Sequence, residues 1–296
     1  MIQSYPALSL SEWIKIIVEL SKIRISQSVA MSALVGYILA TGEISLYVLV
    51  PVLGTFLLSC GSAALNQYQE RDVDGMMSRT RQRPLPSGRI TPETVLRISL
   101  GLMAIGAFLL LFGVNVMAFT LGLFNVYWYN GIYTPLKRET TLAIFPGSII
   151  GAIPPAIGWV AGGQSVFDPR ILIVCSLFFI WQIPHFWLLL MNLSKDYLKA
   201  GFPSLAEKFS ERNMARLTYA GIIVTIVNGL LIPFIDSDYS IFLVIALIIA
   251  SGWLLWVSRK LLYDSLKESA IISVFLQINI YMLLIMNFLA LDRLIF

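Results

Sequence analysis

Apolar and polar positions fall in long blocks along this chain. Mostly apolar runs stand at about 25–42, 47–69, 94–113, 116–133, 142–162, 170–192, 214–235, 239–258 and 270–290. Each is near the ~20 residues that a helix needs to cross the hydrocarbon core of a bilayer. The pattern predicts an all-α integral membrane protein with nine transmembrane helices. Ahead of the first run, residues 9–23 place Glu12, Lys15 and Glu19 among apolar positions at helical spacing. That predicts a short interfacial helix. Two polar stretches, 70–93 and 193–213, are expected as loops over an active site, and 1–296 reads as one polytopic domain.

Composition agrees. The chain is 57% hydrophobic and 13% charged, where a soluble domain has roughly 25% charged residues. The net charge of +4 becomes informative once it is divided by side. With nine crossings and the N-terminus inside, 19 of the 21 Lys and Arg residues fall on the inner side; only Arg170 and Arg293 fall outside. This asymmetry predicts a multi-pass protein of the cell membrane with its N-terminus and both active-site loops in the cytoplasm. The start, Met1-Ile2-Gln3-Ser4, lacks a basic region, so no cleavable signal is expected. Cys60 and Cys175 lie in separate apolar runs and read as small buried hydrophobes. The pattern offers nothing for a nucleic acid.

The second apolar run ends on Asn66, Glu70 and Asp74, spaced i, i+4 and i+8. On a helix these form one stripe, with about 6 Å of rise between neighbours. Oxygen side chains stacked this way repel unless a cation lies between them. Hard oxygen ligands suit Mg²⁺, which bridges carboxylates to phosphate oxygens. Arg79, Arg81 and Arg83 follow directly, and arginines are the natural clamp for those phosphates. The plainer alternative is a helix end with a solvated, charge-balanced loop. The stripe and the arginine cluster occurring together argue against it.

A second site is expected at the end of the sixth run, where Asn192 and Asp196 repeat the i, i+4 spacing 126 residues later. The offset suggests a duplicated four-helix unit. If the halves pack face to face, two oxygen-rich stripes meet over one central cavity open to the cytoplasmic side, each able to hold Mg²⁺. His185, the single histidine, lies on the same face as Asn192 and Asp196, one to two turns deeper. Pro184 just before it removes a backbone hydrogen bond. An intramembrane histidine is either a satisfied interhelical hydrogen-bonder or a functional group; the shared face favours function. Lys137 and Arg138, after Tyr133-Thr134-Pro135, either reach a diphosphate from a third direction or only set topology.

Diphosphate held by Mg²⁺ and cationic side chains in an apolar cavity points to an isoprenoid or lipid-linked diphosphate. Its departure leaves an allylic cation, which needs a dry, aromatic-lined pocket and an electron-rich acceptor. The residues thus reach membrane prenyl transfer without naming the acceptor.

Asn66-x3-Glu70-x3-Asp74 with Asn192-x3-Asp196 resembles the two acidic motifs of the UbiA-type intramembrane prenyltransferase superfamily. Asn66 to Asp74, Arg79-Thr-Arg81-Gln-Arg83-Pro84, Tyr133 to Arg138 and Trp181-Gln182-Ile-Pro184-His185-Phe186 resemble more narrowly its protohaem IX farnesyltransferase branch. The resemblance implies a helical bundle that transfers farnesyl from farnesyl diphosphate to a vinyl group of haem B, with added water, giving haem O. It implies that Asn66, Glu70, Asp74, Asn192 and Asp196 hold Mg²⁺-diphosphate. It implies that Arg79, Arg83, Tyr133, Lys137, Arg138 and Lys195 surround the diphosphate, and that His185 serves the haem. A haem A synthase or terminal oxidase is the implied partner. Glu70 and Asn192 stand where the broader superfamily usually has Asp. A same-class alternative is a quinone-precursor prenyltransferase, and a different-class one is a membrane haem carrier without chemistry.

Overall fold

A computed structural model describes residues 9–199, 201–203, 205, 209–236, 238–263 and 268–296, with 194–199 as backbone only. Among these the chain is helical, with no strand. The helices are α1 (Leu10–Leu20), α2 (Ile23–Thr41), α3 (Leu49–Asp74), α4 (Pro92–Gly113), α5 (Val116–Tyr127), α6 (Thr134–Leu136), α7 (Ile144–Ala161), α8 (Pro169–Lys199), α9 (Glu211–Leu231), α10 (Ile241–Ser258) and α11 (Glu268–Ile295).

Eight helices among the described residues are long and apolar enough to cross a bilayer. The remaining expected run, 116–133, is a composite: α5 of 12 residues, a π segment Trp128–Tyr133, then α6 of 3. Pro135 has no N–H to return to Gly131, and Gly131 weakens the helix there. Thr134 answers by donating its hydroxyl to Tyr129 O at 2.9 Å, alongside its own backbone N–H. No single helix of spanning length results, so the count by length is eight rather than nine.

Helices meet through small residues, as expected where lipid removes the hydrophobic drive between them. A Cβ on Gly158 of α7 would overlap Ala33 O of α2, and one on Gly36 would overlap Pro155 O. Ser99 of α4 donates to Gly61 O of α3 at 2.8 Å. Large apolar side chains face outward, among them Phe112 (71% exposed), Ile249 (66%) and Leu283 (59%). No water-soluble surface would carry them in such number. Cys60 is buried, Cys175 partly so, and both are free thiols.

The expected interfacial helix is α1. Ser9 and Glu12 cap it reciprocally, and Ile16 and Leu20 bury against Ala64, Ile90 and Val95. Gln67 of α3 donates to the terminal carbonyls of Glu19 and Leu20, at 2.9 and 3.1 Å. These would otherwise be orphaned at a helix end. Both expected loops are shorter than predicted. α3 stays helical through Asp74 and α8 through Lys199, so the acidic stripe stands on regular helix. Beyond it, residues 75–91 fold into successive turns tied by Thr80 N→Met77 O, Arg83 N→Thr80 O and Arg89 N→Pro84 O.

At the opposite end of the bundle a second polar cluster joins loops. Arg170 pairs with Asp168 at 2.7 Å and with Asp236 at 3.8 Å, and Arg293 lies 4.0 Å from Asp238. Asp292 accepts from the Ser240 hydroxyl and, at 3.3 Å, from its backbone N–H.

Candidate active site

Asn66, Glu70 and Asp74 are 1%, 4% and 0% exposed. Burying carboxylates costs several kcal/mol per ion unless they are paired, and each member of the stripe has a cation. Lys22 Nζ donates to Asn66 Oδ1 at 3.0 Å. Lys137 Nζ stands 2.6 Å from Glu70 Oε1. Arg83 reaches both oxygens of Asp74, at 2.8 and 2.7 Å. Three elements far apart in sequence thus bring one cation to each oxygen-bearing side chain.

Each cation has a local cause. Arg83 is aimed by the turns of 75–91, which Thr80 anchors by donating to Asp74 O at 2.7 Å. Lys137 is presented by the π segment, which Asn130 bolts to α3: it donates to Ser62 O and Gln69 Oε1 while its carbonyl accepts from Gln69 Nε2 at 3.0 Å. Asn66 completes the seam by donating to Thr134 Oγ1 at 3.2 Å. Lys22 occupies the break between α1 and α2 at φ 44°, the sole positive-φ residue other than glycine among those described. A left-handed lysine is costly and signals a constraint. It lies just outside the span. Burial, then the neighbouring Arg83 and Lys137, push its ammonium down to about 7 against the pull of Glu70 and Asp74.

The other expected residues divide. Tyr133 lies under Lys137, 5.7 Å from ring centroid to Nζ, and stacks on Tyr129. Arg138 is exposed and donates to Gln69 O at 2.8 Å. Arg79 and Arg81 are exposed, so Arg83 alone of the three turns to the stripe. Asn192 is exposed, unlike its counterpart Asn66, and the side chains of Lys195 and Asp196 lie outside the described residues. The segment after α8 does reach the site: Phe202 is buried against Met77 and Val73, with Lys137 Nζ 5.7 Å from its ring. His185 is set apart. Its ring neighbours are Trp181 and Phe275 at 4.9 Å and Phe186 at 5.6 Å, all on α8 and α11.

Residues 29–281 match the model of the UbiA prenyltransferase family. The chain belongs to the UbiA prenyltransferase family. Among curated relatives, the protoheme IX farnesyltransferase of Oleidesulfovibrio alaskensis is 34% identical over 282 residues, covering 93% of this chain and 95% of that one. That of Opitutus terrae is also 34% identical, over 93% and 94%. Of solved structures, a digeranylgeranylglyceryl phosphate synthase superposes with a TM-score of 0.77 at 18% identity, covering 95% of this chain and 98% of that one. A UbiA homolog from Archaeoglobus fulgidus bound to GPP and Mg²⁺ superposes with a TM-score of 0.67 at 13% identity, over 93% and 99%. At these identities the structures attest the UbiA fold.

Around this candidate site, sequence reasoning missed Lys22, Gln69, Asn130 and Thr134, which build it. Lys22 sits among 19 inner-side cations with nothing in its spacing to mark it. Asn130 and Thr134 do carry a signal, since two polar residues flanking Gly131 near the end of an apolar run need buried partners.

Proposed function

We propose that this chain transfers the farnesyl group of farnesyl diphosphate to a vinyl group of haem B, with addition of water, releasing haem O and diphosphate. The full-length similarity to proteins named protoheme IX farnesyltransferase carries the reading. The site's chemistry supports it. The stripe offers two carboxylates and an amide, all hard oxygen donors, each already facing a cation at hydrogen-bonding distance. Such a donor set fits Mg²⁺. We assign Asn66, Glu70 and Asp74, with Asn192 and Asp196 from α8, to holding Mg²⁺-diphosphate. When bound, Mg²⁺ supplies neutralisation of charge on the leaving group.

The chain's own part is an exchange of partners. Arg83 and Lys137 would turn from Asp74 and Glu70 to phosphate oxygens, and the released carboxylates would be free to hold the metal. Arg79, Arg138 and Lys195 add positive potential around them. Tyr133 and Tyr129 give the farnesyl cation an aromatic wall. His185, deeper in the bundle, belongs to the haem side. We assign the composite α5–α6 segment as a ninth crossing around a central cavity, and the site to the cytoplasmic side of the cell membrane, following the 19-to-2 charge asymmetry. A haem A synthase or terminal oxidase is the partner class that would take the product.

The test uses purified membranes given haem B, farnesyl diphosphate and Mg²⁺, with the pigment extracted and weighed by mass spectrometry. The expected product is heavier than haem B by a farnesyl group and a hydroxyl group. Unchanged haem from folded protein, with prenylation of an aromatic acid instead, would overturn the acceptor assignment.

A further inference from the structure

Among the described residues six buried side-chain polar atoms make no hydrogen bond, and two of them, Gln182 Oε1 and His185 Nδ1, stand on α8. They stand three residues apart on α8 and so share a face. Neither side chain is loose. The Gln182 amide lies directly on the backbone of α7, where a Cβ on Gly151 would overlap Nε2. The His185 ring is flanked by Trp181 and Phe275. Asn279 of α11 donates its Nδ2 to Phe275 O and lies beside the imidazole. A neutral imidazole carries N–H on one ring nitrogen and a lone pair on the other, and Nδ1, with no hydrogen-bond partner among the described residues, is free to be the acceptor. The remaining donor of this aromatic wall, Trp181 Nε1, is spent on Ile278 O at 3.0 Å. Two acceptors on one face, with no donor to fill them among the described residues, are suited to an internal water, which needs polar partners in an otherwise apolar place.

We infer that Gln182 and His185 hold the water molecule that the reaction adds to the haem vinyl group, with Gln182 positioning it and His185 Nδ1 accepting its proton. The inference rests on the proposed synthesis of haem O. The terminal vinyl carbon bonds to C1 of the farnesyl group as the C1–O bond breaks, its electron pair leaving with diphosphate. The inner vinyl carbon is left cationic. The water oxygen bonds to that carbon, one water O–H bond breaks, and its proton goes to His185 Nδ1 and then to solvent as product leaves. No oxidant or reductant is needed. Without a held water, the cation loses a proton from the neighbouring carbon and gives an alkene one water lighter than haem O.

The experiment reads the ratio of alkene to haem O by mass in wild type, Gln182→Leu, His185→Phe and Gln182→Glu. The ratio should rise about tenfold or more in the first two variants, and return toward wild type in Gln182→Glu, which keeps an acceptor. An unchanged ratio in the residual product overturns the inference. So does loss of both products together, because the assigned step follows formation of the carbon–carbon bond. Wild-type protein that yields no prenylated haem at all would instead overturn the proposed function.

Discussion

The two ends of the bundle both bring carboxylates and cations together, yet with opposite balance. At one end Asp168, Asp236, Asp238 and Asp292 outnumber Arg170 and Arg293. At the other, Lys22, Lys137 and Arg83 meet two carboxylates and an amide. The far cluster is largely self-sufficient. Asp168 also accepts the Arg170 backbone N–H at 2.9 Å, and the guanidinium rests over Trp159 at 5.3 Å. The site cluster brings its cations to α3 from three separate segments and holds more cations than carboxylates. A brace satisfies its groups locally. A receptor for an anion keeps cations parked on partners they can leave.

Several substitutions would break or sharpen this contrast. Asp74→Asn should lower prenyl transfer about 10²–10³-fold while the bundle still folds; an equal loss from Asp168→Asn would erase the distinction. Lys137→Met should strand Glu70 and lower stability by up to about 3 kcal/mol, read as a thermal shift, and raise the KM for farnesyl diphosphate. Adding Glu70→Gln should recover the stability without the turnover. Arg170→Leu should cost about 1 kcal/mol, because the pair is partly exposed, and leave turnover per folded molecule unchanged. The smallest effect concerns acid. Hydrogen bonding from Arg170 holds the Asp168 carboxyl below its usual range. Its contribution is therefore present above the ordinary carboxylate value and lost as pH falls further. Thermal melts below about pH 4 should lose that contribution in wild type and not in Asp168→Asn.

How legible all this was depended on range. The i, i+4, i+8 stripe is a local pattern on one helix, and Asn66, Glu70 and Asp74 stand together as read. Apolar runs translate into helices because lipid demands internally bonded backbone. The stripe was expected at a loop margin because charge was read as the end of helix, whereas Arg83 and Lys137 neutralise it and let α3 continue. Lys22 was illegible: its role comes from a left-handed backbone turn and a partner 44 residues away. The choice of Arg83 over Arg79 and Arg81 depends on how residues 75–91 coil, which composition does not encode. The suggested repeat weighed spacing alone, and Asn66 and Asn192 differ in burial.

The π segment at Trp128–Tyr133 has a consequence for how this chain tolerates length changes. Each residue in an α-helix turns the chain by about 100°, and a π turn accommodates one more residue than an α turn. Removing one residue from this segment would let the helix resume ordinary winding with everything after it in nearly the same phase. Lys137 would stay near Glu70 and Thr134 near Asn66, the shortened turn taking up the loss. The same deletion in α3 between Asn66 and Glu70, where the winding is regular, would turn one part of the stripe about 100° from the other.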